Sequence, residues 1–165
     1  MSGRTGIEQQ KRAAAEAAAA LVEDGMTVGL GTGSTVHYLL APIAARRITI
    51  RCVATSPRTE LEARSLGIDV DPFERLDRRL DIAIDGADQI GPDGWLIKGG
   101  GGAHTREKIV AAAADRFVVI ASSNKVVDRL SSPVPLELLE YGLPMTLRAL
   151  APTTLRDARA APTAA

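Results

Sequence analysis

The chain has 165 residues, with 20 Lys plus Arg against 20 Asp plus Glu. That length suffices for one ordinary domain with a real core. Zero formal charge excludes a broad positive field for gripping nucleic acid, so no nucleic-acid partner is expected and any anion must be held locally. The single cysteine, Cys52, excludes an intramolecular disulfide and reads as a small core residue in the apolar run 48–54.

The N-terminus lacks a signal-peptide pattern, because Ile7–Gln10 is polar and Glu16 interrupts the alanine run. No apolar stretch approaches the roughly 20 residues that span a bilayer. A soluble cytoplasmic protein without a membrane partner is the default expectation.

In chain order, the alanine-rich stretch 7–24 predicts a helix ended by Gly25. Residues 26–30 predict a buried strand that meets Gly31-Thr32-Gly33-Ser34-Thr35 at once, and 35–45 predict a second helix. The alternation continues with a strand at 48–54, a helix at 58–66 capped by Gly67, and short strands at 68–70 and 80–84. The second of these runs into Asp85-Gly86-Ala87-Asp88. Gly91-Pro92-Asp93-Gly94 is a strong turn signal, and 95–98 predict a short strand ending in the glycines Gly99 to Gly102. A helix over 105–114 with Thr105 as its cap and a strand over 116–121 follow. Pro133–Glu137 suits only an edge strand, because proline donates no backbone hydrogen bond. The Ala, Pro, Thr and Arg of 151–165 predict a tail without fixed structure, leaving 1–150 as one α/β catalytic domain.

Repeated strand–loop–helix units imply an open, mostly parallel, twisted sheet with helices on both faces, a Rossmann-like three-layer α/β fold. Ligands bind such sheets outside the carboxyl ends of the strands. The chemically unusual residues fall at those ends: 31–35, Thr55-Ser56, 85–88, 98–102 and 122–125.

The first loop pairs glycines with hydroxyls ahead of a helix N-terminus, whose free N–H groups attract phosphate or carboxylate. It is not a nucleotide loop, since no Lys follows the glycines and Val36 stands where a third glycine would be needed. A tight turn with incidental hydroxyls explains it equally well. Asp85 and Asp88 end an apolar strand, where carboxylates are expensive unless paired. Capping and backbone bonding would explain either alone, and no His or third acid accompanies them at metal-ligand spacing. Lys98 beside bare backbone is placed to stabilise an oxyanion, and so many successive glycines exceed what a turn needs. Glu107 in a first helical turn has a simple explanation in the helix dipole, so spacing leaves its role open. His104 is the local ring, and a lone loop His is more often incidental than catalytic.

Together, Gly29-Leu30-Gly31-Thr32-Gly33-Ser34-Thr35, Asp85-Gly86-Ala87-Asp88-Gln89-Ile90, Lys98-Gly99-Gly100-Gly101-Gly102-Ala103 and Thr105-Arg106-Glu107-Lys108-Ile109 resemble the motifs of type A ribose-5-phosphate isomerases. The likeness covers about residues 7–140. It implies interconversion of ribose 5-phosphate and ribulose 5-phosphate in the pentose phosphate pathway, with no metal and no organic cofactor. It gives Glu107 the part of the base at C1 and C2, Lys98 a place by the enediolate oxygen, and Asp85 an acid–base part in ring opening. Thr32, Gly33, Ser34 and Thr35 match the substrate loop. Gly86, Ala87, Asp88, Gly99, Gly100 and Gly101 line the same site. Lys11 and Lys125 match basic positions near the phosphate. A homodimer is the family expectation.

Three positions depart from the pattern: Gln89 stands for the usual Glu, Pro57 for a frequent Asp, and His104 is unusual in its motif. Family members continue into a smaller α/β domain, most of which is lacking here, so a shortened member with its catalytic residues kept is expected. The competing reading is a non-catalytic sugar-phosphate sensor, like the effector domains of DeoR-type regulators, or an inactive paralogue. The absence of a basic surplus and of a DNA-binding segment, and the presence of Lys98 and Glu107, argue against it.

Overall fold

A computed structural model describes residues 2–150 and 153 of the chain. The expected tail, 151–165, lies outside the described residues apart from position 153.

The main sheet is built from β1 (Thr27–Leu30), β2 (Arg51–Ala54), β3 (Leu80–Asp85) and β6 (Ala114–Val119). Its order is β2-β1-β3-β6. All three pairings are parallel, with Val28 beside both Cys52 and Ile82, and Ile84 beside Val118. Short connections cannot join parallel neighbours, so helices cross between them: α2 (Ser34–Ala45), α3 (Pro57–Ser65) and α4 (His104–Ala113). The chain leaves β1 toward β2, then returns to place β3 on the other side of β1. Divergence of two neighbouring strands opens a crevice at their carboxyl ends. Here those strands are β1 and β3, which end at Leu30 and Asp85.

One sheet face presents Val28, Leu30, Ile82 and Ile84 to α2 and to α1 (Ser2–Ala19). Alanines 15, 18 and 19 let α1 lie close, while Leu39, Leu40 and Ile43 of α2 are fully buried. Each such leucine or isoleucine contributes about 1.5–3 kcal/mol by leaving water. On the other face Val110 of α4 packs with Val53, Leu80 and Ala83. Helices therefore cover both faces, as the alternation predicts.

The differences from expectation are local. Helix α1 begins at Ser2 and ends at Ala19, and Gly25 (φ 82) turns the chain into β1 after two further turns. Residues 68–70 form only a single bridge, Val70 to Cys52. Helix α4 starts at His104 with Ala103 at its N-cap, so Thr105 is no cap and its N–H donates instead to Glu137 Oε2 at 3.2 Å. The strand expected at 95–98 is β5 (Leu96–Ile97), and it pairs antiparallel with β4 (Gln89–Ile90), outside the main sheet. The four residues Gly91–Gly94 are too short for a parallel crossover, so a hairpin is the outcome they permit. Pro133–Glu137 forms no strand; Pro133 and Pro135 remove two donors from a five-residue stretch. A short helix, α5 (Leu143–Ala149), follows without a clear signal in sequence.

Candidate active site

Asp85 ends β3 and is only 3% exposed. Its Oδ1 accepts the backbone N–H of Thr32 at 3.1 Å and that of Gly86 at 2.7 Å. One carboxylate oxygen thus ties the β3 end to the β1 loop. The other, Oδ2, lies 3.0 Å from Lys98 Nζ. Lys98 Nζ also lies 3.3 Å from Glu107 Oε2 and donates to the carbonyl of Gly86. Asp85 Oδ2 and Glu107 Oε2 are buried and make no well-aligned hydrogen bond. Both oxygens contact the ammonium ion as ion-pair partners.

Two carboxylates share one cation in a water-poor setting, and their acidities respond. Burial is the largest influence on Glu107 and pushes its carboxyl up; Asp85 pushes the same way, and Lys98 opposes both. Burial also raises Asp85, against Lys98 and the two backbone N–H groups. A carboxylate that holds its proton more firmly than usual is a better base once ionised.

The first loop sits opposite. Gly33 has φ 130 and forms the N-cap of α2, a conformation that L side chains rarely adopt. The next N–H groups of α2 have no acceptor within the helix, and Ser34 and Thr35 line the cleft described below. A β-carbon on Gly31 would collide with the Asp85 side chain, so only glycine admits that carboxylate. Thr32 Oγ1 meets Thr55 Oγ1 at 2.7 Å, and Thr59 Oγ1 donates to the Gly31 carbonyl at 2.9 Å. Ser56, at the other end of that segment, caps α3 through Thr59 N–H.

A cleft of about 270 Å³ joins these parts. Thr32, Gly33, Ser34, Thr35, Gly86, Ala87 and Asp88 line it. Lys98, Gly99, Gly100, Gly101, Glu107, Lys11 and Lys125 line it as well. Asp85 lies just beneath, in contact through Lys98. The cleft thus brings together Lys11, Thr32–Thr35, Gly86–Asp88, Lys98–Gly101, Glu107 and Lys125, while Asp85 adjoins it and His104 does not line it. Asp88 faces the glycine loop, its Oδ2 accepting Gly100 N–H at 2.7 Å. Ile7 and Asn124 also line the cleft, as does the buried Ser122. Ser122 and Asn124 belong to the strand-end cluster visible in sequence, whereas Ile7 carried no signal. His104 packs behind Gly99 instead of facing the cleft. Gln89 accepts Ser131 and Ser132 N–H at 2.9 and 3.0 Å, a structural tie.

A second concavity, about 280 Å³, lies between α4 and Leu136–Glu137. It contains no pair of buried carboxylates, so the proton chemistry belongs to the first. Among the described residues, no three His, Cys, Asp or Glu side chains converge as metal ligands do, and no helix is long and apolar enough to cross a membrane.

The fold and site together define a parallel α/β domain whose cleft pairs a glycine loop with a lysine set between two buried carboxylates. Likeness to known proteins narrows it. A family model for ribose 5-phosphate isomerase A (phosphoriboisomerase A) matches residues 51–164, and the chain belongs to that family. It is 51% identical over 150 residues to ribose-5-phosphate isomerase A of Roseiflexus castenholzii, covering 86% of this chain and 63% of that protein. The ribose 5-phosphate isomerase A structure from Neisseria gonorrhoeae matches with a TM-score of 0.81 at 36% identity, covering 86% of this chain and 64% of that one. A D-ribose-5-phosphate isomerase solved with phospho-erythronic acid gives 0.82 at 36% identity, over 87% of this chain and 66% of the other. The chain thus spans 63% of the length of the Roseiflexus relative.

Proposed function

We propose that this chain interconverts ribose 5-phosphate and ribulose 5-phosphate through an enediolate. The observation that carries the reading is Lys98, held 3.0 Å from one buried carboxylate and 3.3 Å from another at the edge of a cleft walled by a helix N-terminus. Family membership supports the substrate, as does the acyclic sugar-acid phosphate bound by a structural relative.

In this reading the open-chain sugar lies with C1 and C2 beside Glu107. The Glu107 carboxylate takes the proton from C2 of the aldehyde. The C–H electrons form the C1–C2 double bond, and the carbonyl electrons move onto O1. Lys98 balances that developing charge, preorganised by its bonds to Gly86 and the two acids. Asp85, buried beside Lys98, moves a proton from O2 to O1 and assists ring opening. Glu107 then returns its proton to C1, leaving the ketone at C2. No electrons are gained or lost overall. The N–H groups of the Thr32–Thr35 loop, with Lys11 and Lys125, hold the phosphate at the far end. The catalytic parts are Glu107, Lys98 and Asp85; Asp88 and the glycines 99–101 shape the wall. A homodimer and a cytoplasmic site belong to this reading through the family alone.

A pure sensor would have no need for two carboxylates kept desolvated around one lysine, since that arrangement costs stability. Purified protein mixed with ribose 5-phosphate should form ribulose 5-phosphate, and Glu107→Gln should not. Tight binding without turnover in the wild type would overturn the isomerase reading in favour of the sensor.

A further inference from the structure

Three lysines border the cleft, Lys11, Lys98 and Lys125, and they are not equivalent. Lys98 is matched by Asp85 and Glu107. Lys11 is matched by Glu8, 2.8 Å away, which Tyr38 also holds through its hydroxyl at 2.6 Å. Lys125 forms no ion pair among the described residues. A dianionic phosphate entering the cleft gains most from the cation whose charge is not already matched. The position of Lys125 therefore matters more than that of the other two.

Lys125 stands on a single 3-10 turn, Ser123–Lys125. Within the turn, Lys125 N–H reaches the Ser122 carbonyl at 3.0 Å and Ser122 Oγ donates to Asn124 Oδ1 at 2.6 Å. A three-residue turn of this kind has poor hydrogen-bond geometry and does not fix its own place. Two outside ties do. Downstream, Val127 N–H donates to the Ile90 carbonyl at 3.0 Å. Upstream, Gln10 of α1 accepts both Ser123 N–H at 2.9 Å and Ser123 Oγ–H at 2.8 Å on the same oxygen, across 113 residues of sequence. Gln10 does not line the cleft. It immediately precedes Lys11, so the side chain that fixes the turn of Lys125 sits on the same helical turn as the second lysine.

We infer that Gln10 is a positioning residue for the phosphate end of the substrate: its side-chain oxygen clips the Ser123 turn to α1 and so sets Lys125 relative to Lys11. This rests on the isomerase reading for the sugar but not for the anion. Loss of the clip weakens phosphate binding and leaves the distant proton chemistry at Glu107 untouched.

The test compares wild type, Gln10→Ala, Ser123→Ala and the double variant. Initial rates are followed with ribose 5-phosphate, and inorganic phosphate is titrated separately by calorimetry. Gln10→Ala should raise KM about three- to tenfold with kcat within about twofold, and weaken inorganic phosphate by the same factor, the scale of one or two exposed hydrogen bonds. Ser123→Ala should have a smaller effect, because the backbone N–H bond survives. The double variant should be no worse than Gln10→Ala, as expected of residues acting through one contact. Unchanged KM and phosphate affinity in Gln10→Ala would overturn the inference, as would a fall in kcat alone or a wild type that binds no phosphate. Wild type that binds phosphate without turnover would refute the isomerase reading instead, and the calorimetric arm would then decide the clip by itself.

Discussion

Gly31 is the position where a single methyl group tests the architecture of the site. Its backbone is not in the left-handed region, so alanine there brings no conformational penalty of its own. The obstacle is purely steric. A β-carbon would stand 2.5 Å from Asp85 Cβ, and closer still to the carboxylate, against about 3.5 Å for a relaxed carbon–carbon contact. Asp85 must therefore retreat by about 1 Å, in a place where it is 3% exposed and holds both Thr32 and Gly86 N–H. Overpacking of this size costs about 1–3 kcal/mol, or a melting temperature lower by about 2 to 12 °C for a chain of this length. Since Lys98 is placed by Asp85, a shift of about 1 Å should also lower kcat by about 100-fold. Thermal unfolding and a ribulose 5-phosphate assay measure the two effects. Gly101→Ala serves as the stability control, because its β-carbon would meet nothing within 4 Å. If Gly31→Ala melts and turns over like wild type, the β1 loop and Asp85 are not locked together as described.

Glu107→Gln should lower kcat by about 10²–10⁴-fold, the usual worth of a general base, without lowering the melting temperature near neutral pH. The sign follows from linkage: a carboxyl raised on folding contributes stability below its unfolded pKa and loses it as pH rises through the folded value. The ionised group is thus a burden at neutral pH, and any gain from Gln should disappear in acid, as melting curves across pH will show. The acid limb of kcat/KM should lie above the ordinary glutamate value of about 4.3, because burial and Asp85 raise Glu107. Lys98→Met should move that limb further up, since Lys98 is what holds Glu107 down; a downward shift in the pH–rate profile would contradict this. Asp88→Ala should release Gly100 N–H, at a cost of about 1 kcal/mol, and speed amide exchange at Gly100 by NMR. Unchanged exchange there would mean Asp88 does not restrain the glycine loop.

Much of the frame is legible in sequence because strand ends and glycines mark it sharply. The run from 26 to 35 announces strand, loop and helix in order, and β3 leads directly into Asp85. What escapes detection depends on contacts distant in sequence. Strand β4 has two residues and exists only because β5 folds back on it. Glu107 looks like any helix-start acid, and only the approach of Lys98 from the hairpin shows it as part of a buried cluster. Gln10 is an ordinary exposed helical residue until the turn after β6 is brought against it. His104, read from the sequence as an incidental loop ring, packs against Gly99 and does not line the cleft.

The central claim is that Glu107 shuttles a proton between C1 and C2 in a cleft open to solvent. Turnover of ribose 5-phosphate in D₂O, followed by proton and carbon NMR to equilibrium, tests it most directly. The account predicts deuterium at C1 of ribulose 5-phosphate and at C2 of ribose 5-phosphate, with incorporation abolished in Glu107→Gln. Isomerisation that leaves both carbons fully protonated would contradict it, since hydrogen would then move between the carbons without passing through an exchangeable carboxyl.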